Sequence, residues 1–270
     1  TYNDGSVYFV GYSVQDWQTI IECINDENAG LSEGEEISPL VLTKETIGTR
    51  EKIKVTQANN AVVINCYKNS KSYVQGKQTV LFQKIISTAI WFLGNKQTVI
   101  ETLNNYHALT LTANEVETKF EQMLPNYRHE SQKHYANLLS AIYNTMLTGY
   151  MPDYTCLVTP IFRAYEYYLH RILGDIMGLD TETDKGANNF SFFTKNAAGI
   201  YECNSRSRSA LSAQQLNYLN NLYTKYNSVR HPYSHWSASD VDTAVITSID
   251  EARNLLNDGI ILVNQYYTLF

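Results

Sequence analysis

The sequence predicts an α+β protein: a small antiparallel sheet covered by helix on one face, followed by an all-helical half. Three observations carry this. Short runs of alternating or β-branched residues are confined to the first third of the chain. Apolar residues recur at helical spacing from about residue 126 onward. Apolar content of 44% over 270 residues is enough for one large or two ordinary cores.

In the first part, residues 6–12 read as a strand and residues 17–24 as a short helix with Ile20, Ile21 and Ile24 on one side. A Gly- and Glu-rich loop is expected over 25–36. Residues 52–56 and 61–66 read as a hairpin turning at Asn59-Asn60, and residues 72–78 as a third short strand. Residues 80–93 read as a helix through Phe82, Ile85, Ile86, Ala89 and Phe92. A small sheet backed by helix is the simplest way to bury these faces.

The second part opens with a helix over 135–146. Thr159 and Pro160 are read as the cap and first turn of the next helix, whose buried stripe is Phe162, Tyr165, Leu169, Ile172, Leu173 and Ile176. A loop rich in Asp, Thr, Gly and Asn follows Gly178. Ser212 with Gln215 forms a capping-box pattern for a helix carrying Leu216, Leu219, Tyr223, Tyr226 and Val229 inward. Ser248 with Glu251 opens the last helix, with Ile249, Ala252, Leu255, Leu256, Val263 and Tyr267 inward. The expected domains are residues 1–108, a linker or helical connection over 109–127, and 128–270. The 21 tyrosines fall largely in helical patterns and are read as packing residues with hydroxyls at the rim.

Composition narrows the chemistry. The four cysteines, Cys23, Cys66, Cys156 and Cys203, are scattered, which suggests neither a zinc framework nor a disulfide scaffold and favours a reducing, cytoplasmic setting. No apolar run is long enough to span a bilayer, so no membrane partner is expected. The formal net charge of −6 argues against a strong non-specific nucleic-acid binder and against DNA as a partner, but leaves room for a local cationic cleft.

The segment 228–236 concentrates reactive residue types. Arg230 is always charged, His235 titrates near neutrality, and Pro232 cannot continue the preceding helix. Such a pair suits metal-free cleavage of RNA. His231 is a possible supporting residue. Arg163 and Glu166 lie three residues apart on a helix face away from the apolar stripe; on spacing alone they read first as a solvated ion pair of little energetic value. Arg128 and His134 also satisfy the Arg-to-His spacing, but they lie in a polar stretch without a long helix before them. His129-Glu130 with His134 is not a zinc motif, because three residues rather than two separate the Glu from the second His.

The chain resembles the RNase LS-type bacterial toxins (the RnlA family), whose C-terminal half is a HEPN domain. The resemblance runs through residues 152–157 and 160–166, resumes over 192–198, and continues through 211–223 into 229–235. Residues 73–77 with the following apolar helix resemble the family's middle module, a sheet-and-helix unit similar to the TATA-binding-protein (TBP-like) fold. The HEPN signature is an Arg, usually a polar residue, and a His four to six positions after the Arg; Arg230, His231 and His235 match it. The resemblance implies that Arg163 and Glu166 match an Arg-x-x-Glu pair that joins the Arg and His in one site. Full-length family members carry a further N-terminal domain, and the resemblance places this chain after it.

It further implies an endoribonuclease toxin of a toxin–antitoxin or phage-defence system that needs no cofactor and no metal. Its partners would be RNA (mRNA above all), a protein antitoxin bound to the helical domain, and a second copy of the chain bound through that domain. The first module would be non-catalytic, with a regulatory or spacing role; its 10 Lys and Arg against 14 Asp and Glu in residues 1–127 speak against an RNA platform there. The alternative is a catalytically silent HEPN-like module for dimerisation or regulator binding.

Overall fold

The computed structural model describes residues 6–29, 39–68, 71–77, 79–107, 110–148, 153–183, 188–230, 233 and 244–270. Two compact units divide the chain, one ending at Glu115 and the other comprising Val116–Thr183 and Asn188–Phe270.

The first unit is built on a five-stranded antiparallel sheet of β1 (Ser6–Val10), β2 (Val41–Ile47), β3 (Arg50–Gln57), β4 (Asn60–Tyr67) and β5 (Lys71–Gly76), in the order β1-β5-β4-β3-β2. Strand β2 is not apparent in the sequence. Nearly all its side chains are exposed, so it lacks the one-sided burial that produces apolar alternation, and backbone pairing to β3 holds it at the sheet edge. The β3–β4 turn is Ala58-Asn59 rather than Asn59-Asn60, since Gln57 pairs with Asn60; Ala58 takes φ 49°, a left-handed conformation that Ala adopts at a cost.

One sheet face is buried. Val7 and Phe9, Ser72 and Val74, Val62, Ile64 and Cys66, and Ile53 and Val55 all point to it. Helix α1 (Val14–Ala29) contributes Trp17, Ile20, Ile21 and Ile24 to the unit's core, and α2 (Val80–Trp91) contributes Leu81, Phe82, Ile85 and Ala89. The Trp17 indole donates to Ser72 Oγ at 2.9 Å, so a buried donor is satisfied inside the core. Helix α1 runs beyond the expected loop start at residue 25. Asn25 remains helical and brackets Leu40, accepting from its N–H at 2.8 Å and donating to its carbonyl at 3.2 Å. Thr79 caps α2 by accepting from the Phe82 N–H. Helix α3 (Lys96–His107) completes the unit with Val99, Ile100 and Leu103 inside; its cap is Asn95, whose Oδ1 accepts from the Thr98 N–H at 2.9 Å.

Helix α4 (Ala113–Met123) begins with a reciprocal cap in which Thr112 and Glu115 bond each other's backbone N–H groups. That Thr-x-x-Glu signature opens a helix within the stretch 109–127 that the sequence reads as a linker or helical connection. The second unit is otherwise α5 (Gln132–Thr145), α6 (Thr155–His170), α7 (Ala213–Lys225) and α8 (Ile249–Leu269), with α6 packed against the other three. Helix α5 is buried on nearly every side. The helical unit also carries a two-stranded hairpin, β6 (Phe193–Lys195) with β7 (Tyr201–Cys203), which no apolar alternation announces.

Helix α6 starts at Thr155, not at Pro160. The Asp153 carboxylate accepts from the Thr155 N–H at 2.8 Å, and Pro160 lies inside the helix. Proline there deletes one helical hydrogen bond. Two α5 amides tie this stretch to the neighbouring helix, Asn144 donating to the Leu157 carbonyl at 2.8 Å and Asn137 to the Pro160 carbonyl at 2.7 Å. The capping box at Ser212 and Gln215 is present as the sequence indicated, and Ser248 caps α8. On α7 the core residues are Tyr218, Leu219 and Leu222, whereas Leu216, Tyr223, Tyr226 and Val229 are only half-buried. Among the described residues no helix is long and apolar enough to cross a membrane.

Candidate functional site

Helix α6 carries Arg163 and Glu166 one turn apart. Arg163 is buried, with 9% of its surface exposed, and is not on the solvated face that its spacing suggested. Glu166 is half-buried. Burial of a guanidinium is costly unless it is compensated, which sets this pair apart from an ordinary surface ion pair.

Helix α7 continues into a π-helical turn, Tyr226–Arg230, that packs against α6. Tyr226 Oη donates to Glu166 Oε1 at 3.3 Å. This bond joins the Arg-x-x-Glu segment of α6 to the turn whose last residue is Arg230. Turns of π type widen the helix by one residue and recur at functional positions. The Arg230 backbone is described; the Arg230 side chain, His231 and His235 lie outside the described residues.

Tyr226 was legible in the sequence only as a packing residue. Around it lies a polar–aromatic cluster. The Tyr226 ring meets Phe190 edge-on at 5.4 Å, and Phe190 meets His170 at 4.9 Å. His170, which reads from sequence as a surface residue, is engaged at both ring nitrogens, Nδ1 with Thr181 Oγ1 and Nε2 with Asn188 Oδ1, each at 2.9 Å. It fastens α6 to the loop after Gly178.

The competing Arg128 and His134 pair has structural employment. Arg128 donates to the Tyr267 carbonyl at 3.0 Å and lies 5.3 Å from the Tyr267 ring centroid. His134 is buried, stacks on Tyr167 at 4.0 Å and bonds Tyr168 Oη through Nε2 at 2.8 Å; Tyr168 Oη in turn bonds Tyr267 Oη at 2.7 Å. Burial, with His129 nearby as the lesser cause, lowers the His134 pKa to about 3. The imidazole is therefore neutral at physiological pH and serves the core. Glu130 faces Arg171 at 3.6 Å. Among the described residues no group of three His, Cys, Asp or Glu side chains is placed to hold a metal ion.

The family described as RNase LS, bacterial toxin matches residues 3–94, and its DBD domain matches residues 112–237. The chain belongs to the RNase LS bacterial toxin family. Arg163, Glu166, Arg230, His231 and His235 all lie within the second of these matches. The fold of this RNase LS family member is shared with the crystal structure of Escherichia coli toxin LsoA in complex with the T4 phage antitoxin Dmd. The two are 17% identical, with a TM-score of 0.55 over 96% of this chain and 97% of that one. No curated protein matches the chain.

Proposed function

We propose that this RNase LS family member is an endoribonuclease toxin that cleaves RNA without a metal, at a HEPN-type site formed by Arg163, Glu166, Arg230 and His235. The observation that carries the reading is the bond from Tyr226 to Glu166, because it ties the α6 segment that holds Arg163 and Glu166 to the turn that ends at Arg230, far away in sequence. The two family matches supply the context.

In this reaction the ribose 2′-hydroxyl attacks the adjacent phosphate. His235 takes its proton, since an imidazole of ordinary pKa near 6.5 is poised for transfer at neutral pH. The Arg230 guanidinium accommodates charge on two phosphate oxygens through its planar fork. Glu166, oriented by Tyr226, fixes the cationic or imidazole partner in one geometry, and Arg163 adds positive potential beneath it. An acid protonates the leaving 5′-oxygen. The products are a 2′,3′-cyclic phosphate and a 5′-hydroxyl.

Base and acid must stand on opposite sides of one phosphate, and one His235 reaches one side only. A homodimer through the helical unit would bring two His235 and two Arg230 side chains to a shared cleft across an isologous interface. It would also concentrate positive charge despite the net −6 of the chain. The LsoA neighbour is bound to a phage antitoxin. By analogy we assign this chain a protein antitoxin and a role in phage defence; a cytoplasmic setting and an antitoxin seated on the helical unit complete the reading as the sequence suggests it. His231 supports the site as a neighbouring polar group.

The test is cleavage of RNA in excess EDTA, with the product ends identified. Arg230→Ala and His235→Ala should each lower the rate by about 10²–10⁴-fold. Mixing His235→Ala with Arg230→Ala chains should restore part of the activity. Activity that vanishes with EDTA and returns with magnesium refutes the mechanism, and full activity in a monomer refutes the shared cleft.

A further inference from the structure

Side chains alternate across a strand, so the strand register assigns every residue of the first unit's sheet to one of two faces. The buried face is the one packed with Val7, Phe9, Ile53, Val55, Val62, Ile64 and Val74. The other face is crossed by three registered rows: Val10, Lys71, Tyr67, Arg50 and Ile47; then Tyr8, Tyr73, Asn65, Lys52 and Glu45; then Ser6, Gln75, Val63, Lys54 and Thr43. Tyr73 is 40% exposed and Val10 53% exposed at its centre and margin.

We propose that this open face is a docking platform for single-stranded RNA. The inference deepens the RNA-cleaving reading, on which its choice of ligand rests. Charge is the first argument. Arg50, Lys52, Lys54 and Lys71 project from the face, and Lys68 stands at its rim, whereas Glu45 is the one carboxylate on it among the described residues. Lys52 already answers Glu45 at 3.8 Å. The acidic balance of residues 1–127 that spoke against an RNA platform is thus unevenly spread, and the strand register gathers cations on this face.

The second argument is aromatic. Tyr8 and Tyr73 have ring centroids 4.8 Å apart, and Tyr67 lies 6.0 Å from Tyr73 at a steep angle. Tyr67 and Tyr73 line a groove of about 560 Å³ with Thr49, Lys68 and Lys71. Half-exposed rings flanked by cations are what unpaired bases and their phosphates require: stacking for the base and charge for the backbone. Beside the rings, the buried Asn65 donates to Gln75 at 3.1 Å and Gln75 donates to Ser6 at 3.2 Å, which leaves Gln75 and Ser6 as the polar groups that base edges could reach.

Other occupants fit less well. Val10 and Ile47 sit at opposite ends of one row, separated by Lys71, Tyr67 and Arg50, so no continuous apolar surface faces a lipid core. A second copy docked face to face would oppose like charges.

The test uses the full chain and a labelled single-stranded 2′-O-methyl RNA, which cannot be cut because its 2′-oxygen is blocked. Fluorescence anisotropy should show Tyr73→Ala weakening binding by about 5- to 150-fold, the range of one lost base stack. Lys71→Ala and Lys54→Ala should each lower the slope of log Kd against log salt by about 0.7. Lys44→Ala, on the opposite face of the same sheet, should bind as the parent does. Circular dichroism verifies the fold of each variant. The proposal is overturned if Tyr73→Ala binds unchanged, or if Lys44→Ala loses as much as Lys71→Ala. It is equally overturned if Tyr73 supports binding to phosphatidylserine vesicles or self-association, and not to the oligonucleotide. Tyr73-dependent binding without cleavage of natural RNA would leave the platform standing and remove the catalytic reading. Cleavage with Tyr73-independent binding would do the reverse.

Discussion

Gly259→Ala adds a single methyl group, and opposing physical effects give it opposite signs. Gly259 lies inside α8 where that helix meets α6. An Ala in a helix interior is ordinarily favoured over Gly by about 1 kcal/mol. Here a Cβ would fall 2.1 Å from Ile161 Cγ1, 3.0 Å from Ile161 Cδ1 and 2.7 Å from the Tyr165 hydroxyl oxygen. Restoring an ordinary contact of roughly 3.5 Å requires about 1.4 Å of movement. Ile161 is fully buried and β-branched, so a rotamer change cannot supply that movement and the helices must separate. Overpacking of this kind costs about 1–3 kcal/mol, and more when backbone must shift. With backbone forced to shift, the cost lies in the upper part of that range, about 2–3 kcal/mol, and the net expectation is destabilisation of about 1–2 kcal/mol once the propensity gain is subtracted. Urea unfolding followed by far-UV circular dichroism measures it. Ile161→Ala in the same chain opens the space the methyl needs, so the double variant should be more stable than the sum of the two single changes by about 1 kcal/mol or more. Because Ile161 and Tyr165 flank Arg163 on α6, the displacement should also lower RNA cleavage, by up to about 10²-fold for a 1 Å error. A Gly259→Ala chain as stable as its parent or more so would refute the packing argument.

Three further outcomes follow from particular contacts. Burial holds the folded pKa of His134 at about 3, against an ordinary 6.5, so below pH 6.5 the unfolded chain takes up a proton that the native state excludes. Its stability contribution is complete above that pH and declines as pH falls toward 3; between pH 7 and 5 the loss is about 2 kcal/mol, and His134→Gln should remove that part of the pH dependence in paired urea titrations. His134→Ala should lower the melting temperature while leaving the cleavage chemistry per folded molecule intact, whereas Arg230→Ala should do the opposite; loss of chemistry in folded His134→Ala would move the site to the Arg128 segment. Ser212→Ala removes the side chain that accepts from the Gln215 N–H and should cost about 0.5–2 kcal/mol, read as a lower urea midpoint.

Local chemistry by itself determined much of this protein. Period-two and period-3.6 patterns located β1, the β3–β4 hairpin, β5 and the helices that bury a clear apolar stripe, because such elements write their one-sided burial into consecutive residues. The Ser212 and Gln215 capping box is equally local, since its partners are three residues apart. The Arg230 to His235 spacing and the flanking residues were sufficient to indicate the family. What tertiary structure decided involves partners distant in the chain. Strand β2 exists through pairing with β3 and leaves no pattern of its own. Helix α6 runs through Pro160 and is tied there to α5, whose Asn137 and Asn144 bond the Pro160 and Leu157 carbonyls. Arg163 is buried, and Glu166 meets Tyr226, because α6 is packed on three sides. His134 and His170 carry the same ring, yet one is held neutral in an aromatic core and the other fastens a loop. The cationic open face is likewise invisible in a net charge of −6, because a charge total has no direction, and only strand register separates Lys52 and Lys54 from the carboxylates that outnumber them.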